Sequence, residues 1–217
     1  MVKNRQPSKE RYFERSYDSL SRFSSYFYQI DTIRSLKPNS ILDIGIGDGF
    51  FSLYMRNKGV FVDTCDIDKG LSPDYVGDIR NIPVKSNSYE AVTAFQVLEH
   101  IPWSDFGVAL EELHRVSKKY VVVSLPRFSI YFELVVNFFP INFFFKRKMI
   151  RIIISVPMFL KNIKIPNNDG HFWEIGRKGF SLHKIRRRIK ASGFIIESEF
   201  IPILNPYHVF FVLKKTK

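Results

Sequence analysis

The sequence predicts an α/β chain: a doubly wound, mostly parallel sheet of seven strands, closed by antiparallel last strands and interrupted by a helical insert. Three observations carry this. From Ser40 to Pro126 apolar runs of strand length alternate with helical patterns, as crossover helices between parallel strands require. A glycine turn, Gly45-Ile46-Gly47-Asp48-Gly49, links the first such run to the first such helix. Near the C-terminus, Asn205-Pro206 separates two apolar runs, which reads as a hairpin.

Taken in order, residues from about Lys9 to Leu36 read as helical, with Phe, Tyr, Ile and Leu mixed among charges. Strands are expected at Ile41–Gly45, Val60–Asp66, Tyr75–Gly77, Ala91–Phe95 and Tyr120–Leu125. Phe50–Lys58 is a helix closed by Gly59, a favourable residue just past a helix end. Ser104–Ser117 places Phe106, Leu110 and Leu113 on one stripe and ends in basic residues, as the helix dipole favours. After Pro126 the alternation stops, and Phe128–Leu160, broken by Lys146-Arg147-Lys148, reads as inserted helices. Ser181 is placed to cap a helix with apolar face Leu182, Ile185 and Ile189, ended by Gly193. Phe194–Phe200 and Tyr207–Leu213 are the last two strands.

These elements make one domain over residues 1–217: an N-terminal helical segment (1–37), a core (38–126), a helical insert (127–180) and a C-terminal helix with a strand hairpin (181–217). The length suits one sizeable core. With 45% hydrophobic and 25% charged residues, the composition is globular and argues against large-scale disorder. A single cysteine, Cys65, excludes an intrachain disulfide and a Cys-rich zinc site, and fits a reducing, cytoplasmic setting. Met1–Lys9 is polar and basic, so no signal peptide is expected. Phe128–Phe145 carries Glu133, Asn137, Pro140 and Asn142, and makes a poor membrane span. Between Lys146 and Lys190 thirteen Lys/Arg face two acids, Asp169 and Glu174, a difference of +11 within a net charge of +12. An anionic partner would therefore meet the C-terminal half.

The strongest motif runs from Ile41 to Phe51, a buried strand entering a glycine turn that opens a helix. Glycines let the backbone approach a ligand, and the helix N-terminus offers free N–H groups. A dinucleotide fold would use G-x-G-x-x-G to seat a pyrophosphate. Here the third glycine comes one residue early, and Asp43 stands two residues before Gly45. An acid there would repel a pyrophosphate and suit a ligand carrying an ammonium group. The glycine spacing thus disfavours a nicotinamide dehydrogenase; the competing reading is a turn of purely structural use.

The segment resembles motif I of the class I S-adenosylmethionine-dependent methyltransferases, and the chain is similar to their methyltransferase-11 group over about Pro38 to Pro126. The resemblance implies a Rossmann-like fold, S-adenosyl-L-methionine as cofactor, and a loop at Gly45, Gly47 and Gly49 preceded by Asp43. It implies an acid at the end of the second strand that holds the ribose hydroxyls. Asp63 and Asp66 are both candidates, and the family's usual spacing of about seven residues from Gly59 selects Asp66, with Ile67 against the adenine. Gly77-Asp78-Ile79 then supplies a carboxylate near the adenine amino group and Ile79 against the ring, while Gln96 lies beside the methionine moiety.

Methyl transfer from a sulfonium is an in-line displacement, so alignment and exclusion of water do most of the work. A hydroxyl or amine acceptor would also use a general base. His100, His171 and Glu174 are the candidates. Against this, His100 reads equally as a loop histidine, and Gly170–Glu174 as a packed loop anchored by Trp173. The five histidines and one cysteine show no metal-ligand spacing, so no metal is expected.

Two readings compete for the basic, apolar stretch 128–164: a cover over a small-molecule or lipid acceptor that also contacts an anionic membrane, or an ordinary helical cap. Arg186-Arg187-Arg188 fits the solvated face of its helix, since Ile185 and Ile189 flank it at core spacing. RNA ranks below lipid and small molecule, because the aromatics cluster in apolar runs and no RNA-binding module is recognisable. A non-catalytic cofactor-binding protein of the same fold is the rival of another class; an RNA methyltransferase is the other alternative.

Overall fold

The computed structural model describes residues 9–128, 132–135, 151–154 and 170–216. The chain divides into two compact units, Met1–Arg127 with Asn167–Lys217, and Phe128–Pro166.

The larger unit is the expected α/β sheet. Its strands are β1 (Ser40–Ile44), β2 (Phe61–Asp66), β3 (Tyr75–Val76), β4 (Tyr89–Phe95) and β5 (Ser117–Pro126), followed near the C-terminus by β8 (Phe194–Phe200) and β9 (His208–Lys215). They lie in the order β3-β2-β1-β4-β5-β9-β8. Pairing is parallel from β3 to β5 and antiparallel where β9 enters between β5 and β8. The chain builds outward from β1 to β3, then returns to place β4 on the other side of β1. That reversal opens a crevice at the carboxyl ends of the central strands, where such sheets bind ligands.

Successive strand residues point to opposite faces, and both faces are covered. Ile41, Val62, Ala91 and Val122 pack with Ile33, from α2 (Leu20–Leu36), and with Phe51 and Met55, from α3 (Phe50–Asn57). On the other face Leu42, Val92, Val121 and Val123 join Phe106, Leu110 and Leu113 of α4 (Phe106–Val116) and Ile185 and Ile189 of α5 (Leu182–Ala191). Ile185 and Ile189 are fully buried, each stabilising that packing by about 2 kcal/mol. Ser181 caps α5, its hydroxyl accepting from the Lys184 N–H at 3.2 Å. Arg186–Arg188 are exposed, and Arg186 pairs with Glu199 at 2.7 Å.

The expected N-terminal helix is two, α1 (Lys9–Tyr12) and α2. Ser19 starts the second by accepting from the Arg22 N–H at 3.2 Å, a cap that stops α1 from continuing into it.

In the smaller unit the helical insert is corrected where residues are described. β6 (Phe132–Val135) and β7 (Arg151–Ile154) are strands, paired antiparallel with Phe132 opposite Ile154. Three consecutive isoleucines at 152–154 lose rotamer freedom in a helix and favour extended backbone. The rest of the 128–164 stretch, including Phe143–Phe145 and Lys146–Lys148, lies outside the described residues beyond Phe128. Among the described residues no helix is long and apolar enough to cross a membrane.

Candidate functional site

The crevice is a cleft open to solvent at the carboxyl ends of the central strands. Four chain segments line it, each just past the end of a parallel strand: Gly45 after β1, Asp66 and Ile67 after β2, Gly77, Asp78 and Ile79 after β3, and Val97, His100 and Ile101 after β4.

Gly45 shows why the first segment needs glycine. Its φ is +80°, and a Cβ there would lie 2.4 Å from Val97 Cγ2. The loop after β1 and the turn after β4 therefore touch through a backbone with no side chain. Gly47 and Gly49 also have positive φ, and Gly49 leads directly into α3. Neither is in the cleft wall. The loop is clamped from α2, where Tyr26 donates to Asp48 at 2.6 Å while the other Asp48 oxygen accepts from the Phe50 N–H at 3.0 Å. Burial raises the Tyr26 phenol well above its ordinary range, so this hydroxyl stays a donor. A Cβ on Gly47 would lie 3.7 Å from the Tyr12 ring, which places that ring over the loop.

Asp66 is 6% exposed. Its oxygens accept from the Ile46 N–H at 3.0 Å and the Asp68 N–H at 2.8 Å. Burial raises its pKa, and those backbone bonds oppose the shift. Each oxygen keeps a lone pair for a ligand hydroxyl. Asp63, the other sequence candidate, lies outside the cleft wall and accepts from the Tyr89 hydroxyl. Ile67 is half-exposed and Ile79 buried, both on the cleft. The Asp78 carboxylate is already paired, with Arg80 at 2.6 Å, and Arg80 also holds Asp105 at 2.7 Å.

Asp43 and Gln96 sit behind this wall. Asp43 is 3% exposed and accepts from the Ser52 and Thr93 hydroxyls. Burial pushes it up to about 7, against those two hydrogen bonds. It supports the strand and helix on either side of the glycine turn. Gln96 has φ +57°, a region where non-glycine residues are uncommon, and its amide donates to Ser124 at 3.2 Å.

The three base candidates come together. The His100 and His171 rings meet edge to face at 4.9 Å between centroids, and His171 Nδ1 is 2.9 Å from Glu174 Oε1. Burial pushes Glu174 up, but His171 and Arg177, the latter at 2.7 Å, outweigh it and hold the carboxyl down to about 2. Of the three, only His100 lines the cleft. Trp173 anchors this block as well, fully buried and donating to the Ile101 carbonyl at 3.1 Å.

Sequence reasoning missed Glu99. It is fully buried, and among the described residues neither carboxylate oxygen has a hydrogen-bond partner. Burial pushes it up to about 7, with the nearby His171 opposing. Donor atoms of Glu99, His100 and His171 all lie within 4.8 Å of one another. No spacing rule could find this group, because His171 reaches it from far along the chain.

Residues 42–123 match the family model described as a methyltransferase domain. A demethylmenaquinone methyltransferase of Corynebacterium glutamicum (strain R) is 30% identical over 103 residues, covering 43% of this chain and 44% of the relative. The match thus spans less than half the length of the curated relatives. Among solved structures, a Burkholderia thailandensis 1,6-didemethyltoxoflavin-N1-methyltransferase, with bound 1,6-didemethyltoxoflavin and S-adenosylhomocysteine, superposes with TM-score 0.59 at 10% identity, over 92% of this chain and 80% of that one. The N-methyltransferase NodS of Bradyrhizobium japonicum WM9, with S-adenosylhomocysteine, gives TM-score 0.62 at 8% identity, over 99% of this chain and 100% of that one. At such identities the likeness is one of fold. The resemblance to the class I methyltransferases of the methyltransferase-11 group is borne out by sequence over residues 42–123, and the sheet shares their fold.

Proposed function

We propose that this chain, with its methyltransferase-domain match over residues 42–123, is an S-adenosylmethionine-dependent methyltransferase acting on a small-molecule acceptor. The observation that carries the reading is Asp66: a buried carboxylate at the end of β2, fixed by two backbone N–H groups and open to a cleft whose walls include Ile67 and Ile79. A carboxylate held in this way suits a pair of vicinal hydroxyls, and the two isoleucines suit a flat aromatic base. At Gly45 the backbone packs directly on Val97, which brings the glycine turn and the turn after β4 together at the cleft. The residues present therefore fit the cofactor.

When bound, S-adenosylmethionine supplies a methyl group activated by its sulfonium. The chain's residues position and shield the reactants. Asp66 holds the ribose, Ile67 and Ile79 flank the adenine, and Asp78 borders it. Gly45, Gly47 and Gly49, shaped by Asp43 beneath them, and Gln96 shape the methionine end. His100 faces the cleft and takes the acceptor's proton, with His171 and Glu174 behind it.

The acceptor class draws support from the demethylmenaquinone methyltransferase match and the toxoflavin-precursor enzyme, both named for small-molecule substrates. A lipid-like acceptor and peripheral contact with an anionic membrane through 128–164 extend the same reading, on the basic and apolar residues of that segment.

Calorimetric titration of S-adenosylmethionine into the wild type and Asp66→Ala tests the cofactor. Micromolar binding lost in the variant is expected. Absence of binding to the wild type would remove the reading and leave the glycine turn as structure. Product formation with an aromatic or quinol hydroxyl panel would exclude a non-catalytic binder.

A further inference from the structure

We propose that Glu99, His100 and His171 form a binding site for a divalent first-row transition-metal ion beside the cleft. The ligand set stands independently of the methyltransferase reading; only its use in catalysis rests on that reading.

Glu99 is the starting point. A fully buried carboxylate with no donor on either oxygen is costly unless a cation or a proton neutralises it. The donor atoms nearest to serve the same cation belong to His100 and His171, all three within 4.8 Å of one another. Metal–nitrogen bonds of about 2.0–2.1 Å would hold tetrahedral donors about 3.3 Å apart, so small side-chain rotations close the set on an ion.

The surroundings are built for this. The Phe172 N–H donates to the Glu99 carbonyl at 2.8 Å, and the Trp173 indole donates to the Ile101 carbonyl at 3.1 Å. These two bonds fasten the His171 segment to the turn after β4 on either side of the cluster. Glu174 lies 2.9 Å from His171 Nδ1, and Arg177 and Tyr207 hold Glu174 at 2.7 Å and 3.2 Å. A carboxylate behind one imidazole nitrogen fixes the tautomer and presents the other nitrogen to a metal. Paired with Glu174 in this way, a His171 ring that donates from Nδ1 would offer Nε2 to the ion.

Two imidazoles and one carboxylate favour zinc, iron, cobalt, nickel or manganese over magnesium or calcium, which take oxygen donors. Three protein ligands leave a coordination position open, the arrangement of catalytic rather than structural sites. His100 lines the cleft, so that position would face the acceptor. There the ion's charge would favour the deprotonated form of a hydroxyl acceptor. With the ion bound, the metal takes over from the His100 ring, whose coordinated nitrogen no longer accepts a proton.

The test uses the full chain without an affinity tag, stripped with chelator and titrated with Co²⁺ while the visible d–d absorption is followed. One equivalent at micromolar affinity or tighter is expected, displaced by Zn²⁺. Glu99→Gln and His171→Gln should each weaken binding by about 100-fold or more, and Glu174→Gln, which removes only the support behind His171, by about 10-fold. Calorimetric binding of S-adenosylhomocysteine to each variant reports that it is folded. Wild-type protein that binds S-adenosylhomocysteine but takes up no Co²⁺ overturns the metal site alone. Protein that takes up Co²⁺ with the expected variant losses but binds no S-adenosylhomocysteine upholds the site and overturns the methyltransferase reading. Co²⁺ uptake unchanged in folded Glu99→Gln and His171→Gln places the ion elsewhere and also overturns the proposal.

Discussion

Two buried carboxylates stand at or just past the ends of two strands of this sheet, and they are finished in opposite ways. Asp66, at the end of β2, accepts from two backbone N–H groups. Glu99, in the turn after β4, accepts from none among the described residues. The glycine-loop side of the cleft is thus complete within the chain: backbone donors hold the acid, and Tyr26 and Asp48 clamp the turn. The side after β4 has its framework bonds in place, through Phe172 and Trp173, but leaves its central carboxylate unpaired. A hydrogen-bonded acid can be ready for a ligand before it arrives. A buried acid without donors has to be completed by something added, and that contrast separates the two halves of the proposed chemistry.

The largest effect should come from breaking the finished side. Asp66→Ala should weaken S-adenosylmethionine binding by at least about 100-fold, or about 2.8 kcal/mol, as read by calorimetry; an affinity within threefold of wild type would refute the ribose role. Next is the contact where the two sides meet. Gly45→Ala puts a Cβ 2.4 Å from Val97 Cγ2 at a φ of +80°, so denaturant unfolding should show a loss of about 2 kcal/mol together with weaker cofactor binding.

A third test asks what a hydroxyl neighbour does for a buried titratable group. His208 lies 3.1 Å from the Ser25 hydroxyl, and burial, aided by Arg22 and His171, pushes its pKa down from 6.5 to about 3. The native state therefore refuses a proton that the unfolded chain accepts. This cost is absent above pH 6.5 and accumulates as pH falls towards about 3. Within that window the wild type should lose up to about 1.4 kcal/mol per pH unit relative to His208→Gln, measured by urea unfolding at each pH. Equal slopes for the two proteins would refute it. The smallest effect is a control away from both carboxylates: Ser181→Ala removes the cap of α5 and should cost about 1 kcal/mol of stability while cofactor affinity stays unchanged.

How much of this was legible depends on distance along the chain. The seven strands, their antiparallel end and the caps at Ser181 and Gly59 are local patterns, and each element was found within a few residues of its expected bounds. The choice of Asp66 over Asp63 came from the family's spacing after Gly59; Asp66 lies on the crevice and Asp63 does not. At 132–135 and 151–154 the insert was misread because apolar runs have no helical or strand period of their own, and three successive β-branched residues decided for β7. Asp43 was read as an acid before a loop; its burial behind Ser52 and Thr93 depends on α3 and β4 closing over it. Glu99 was passed over because its surroundings are made by His171, Phe172 and Trp173, which no window around residue 99 contains.

The Trp103–Trp173 contact has a practical consequence. The chain has two tryptophans, and they meet edge to face at 5.1 Å, with Phe106 and Phe180 packed around them. Trp173 sits between His171 and Glu174 in sequence and is bonded to the carbonyl of Ile101, a residue of the cleft wall. The tryptophan emission of the protein, excited selectively beyond the tyrosine band, therefore originates at one place, next to the imidazole cluster. Unlabelled protein carries its own optical reporter, tuned to the half of the cleft whose completion is in question.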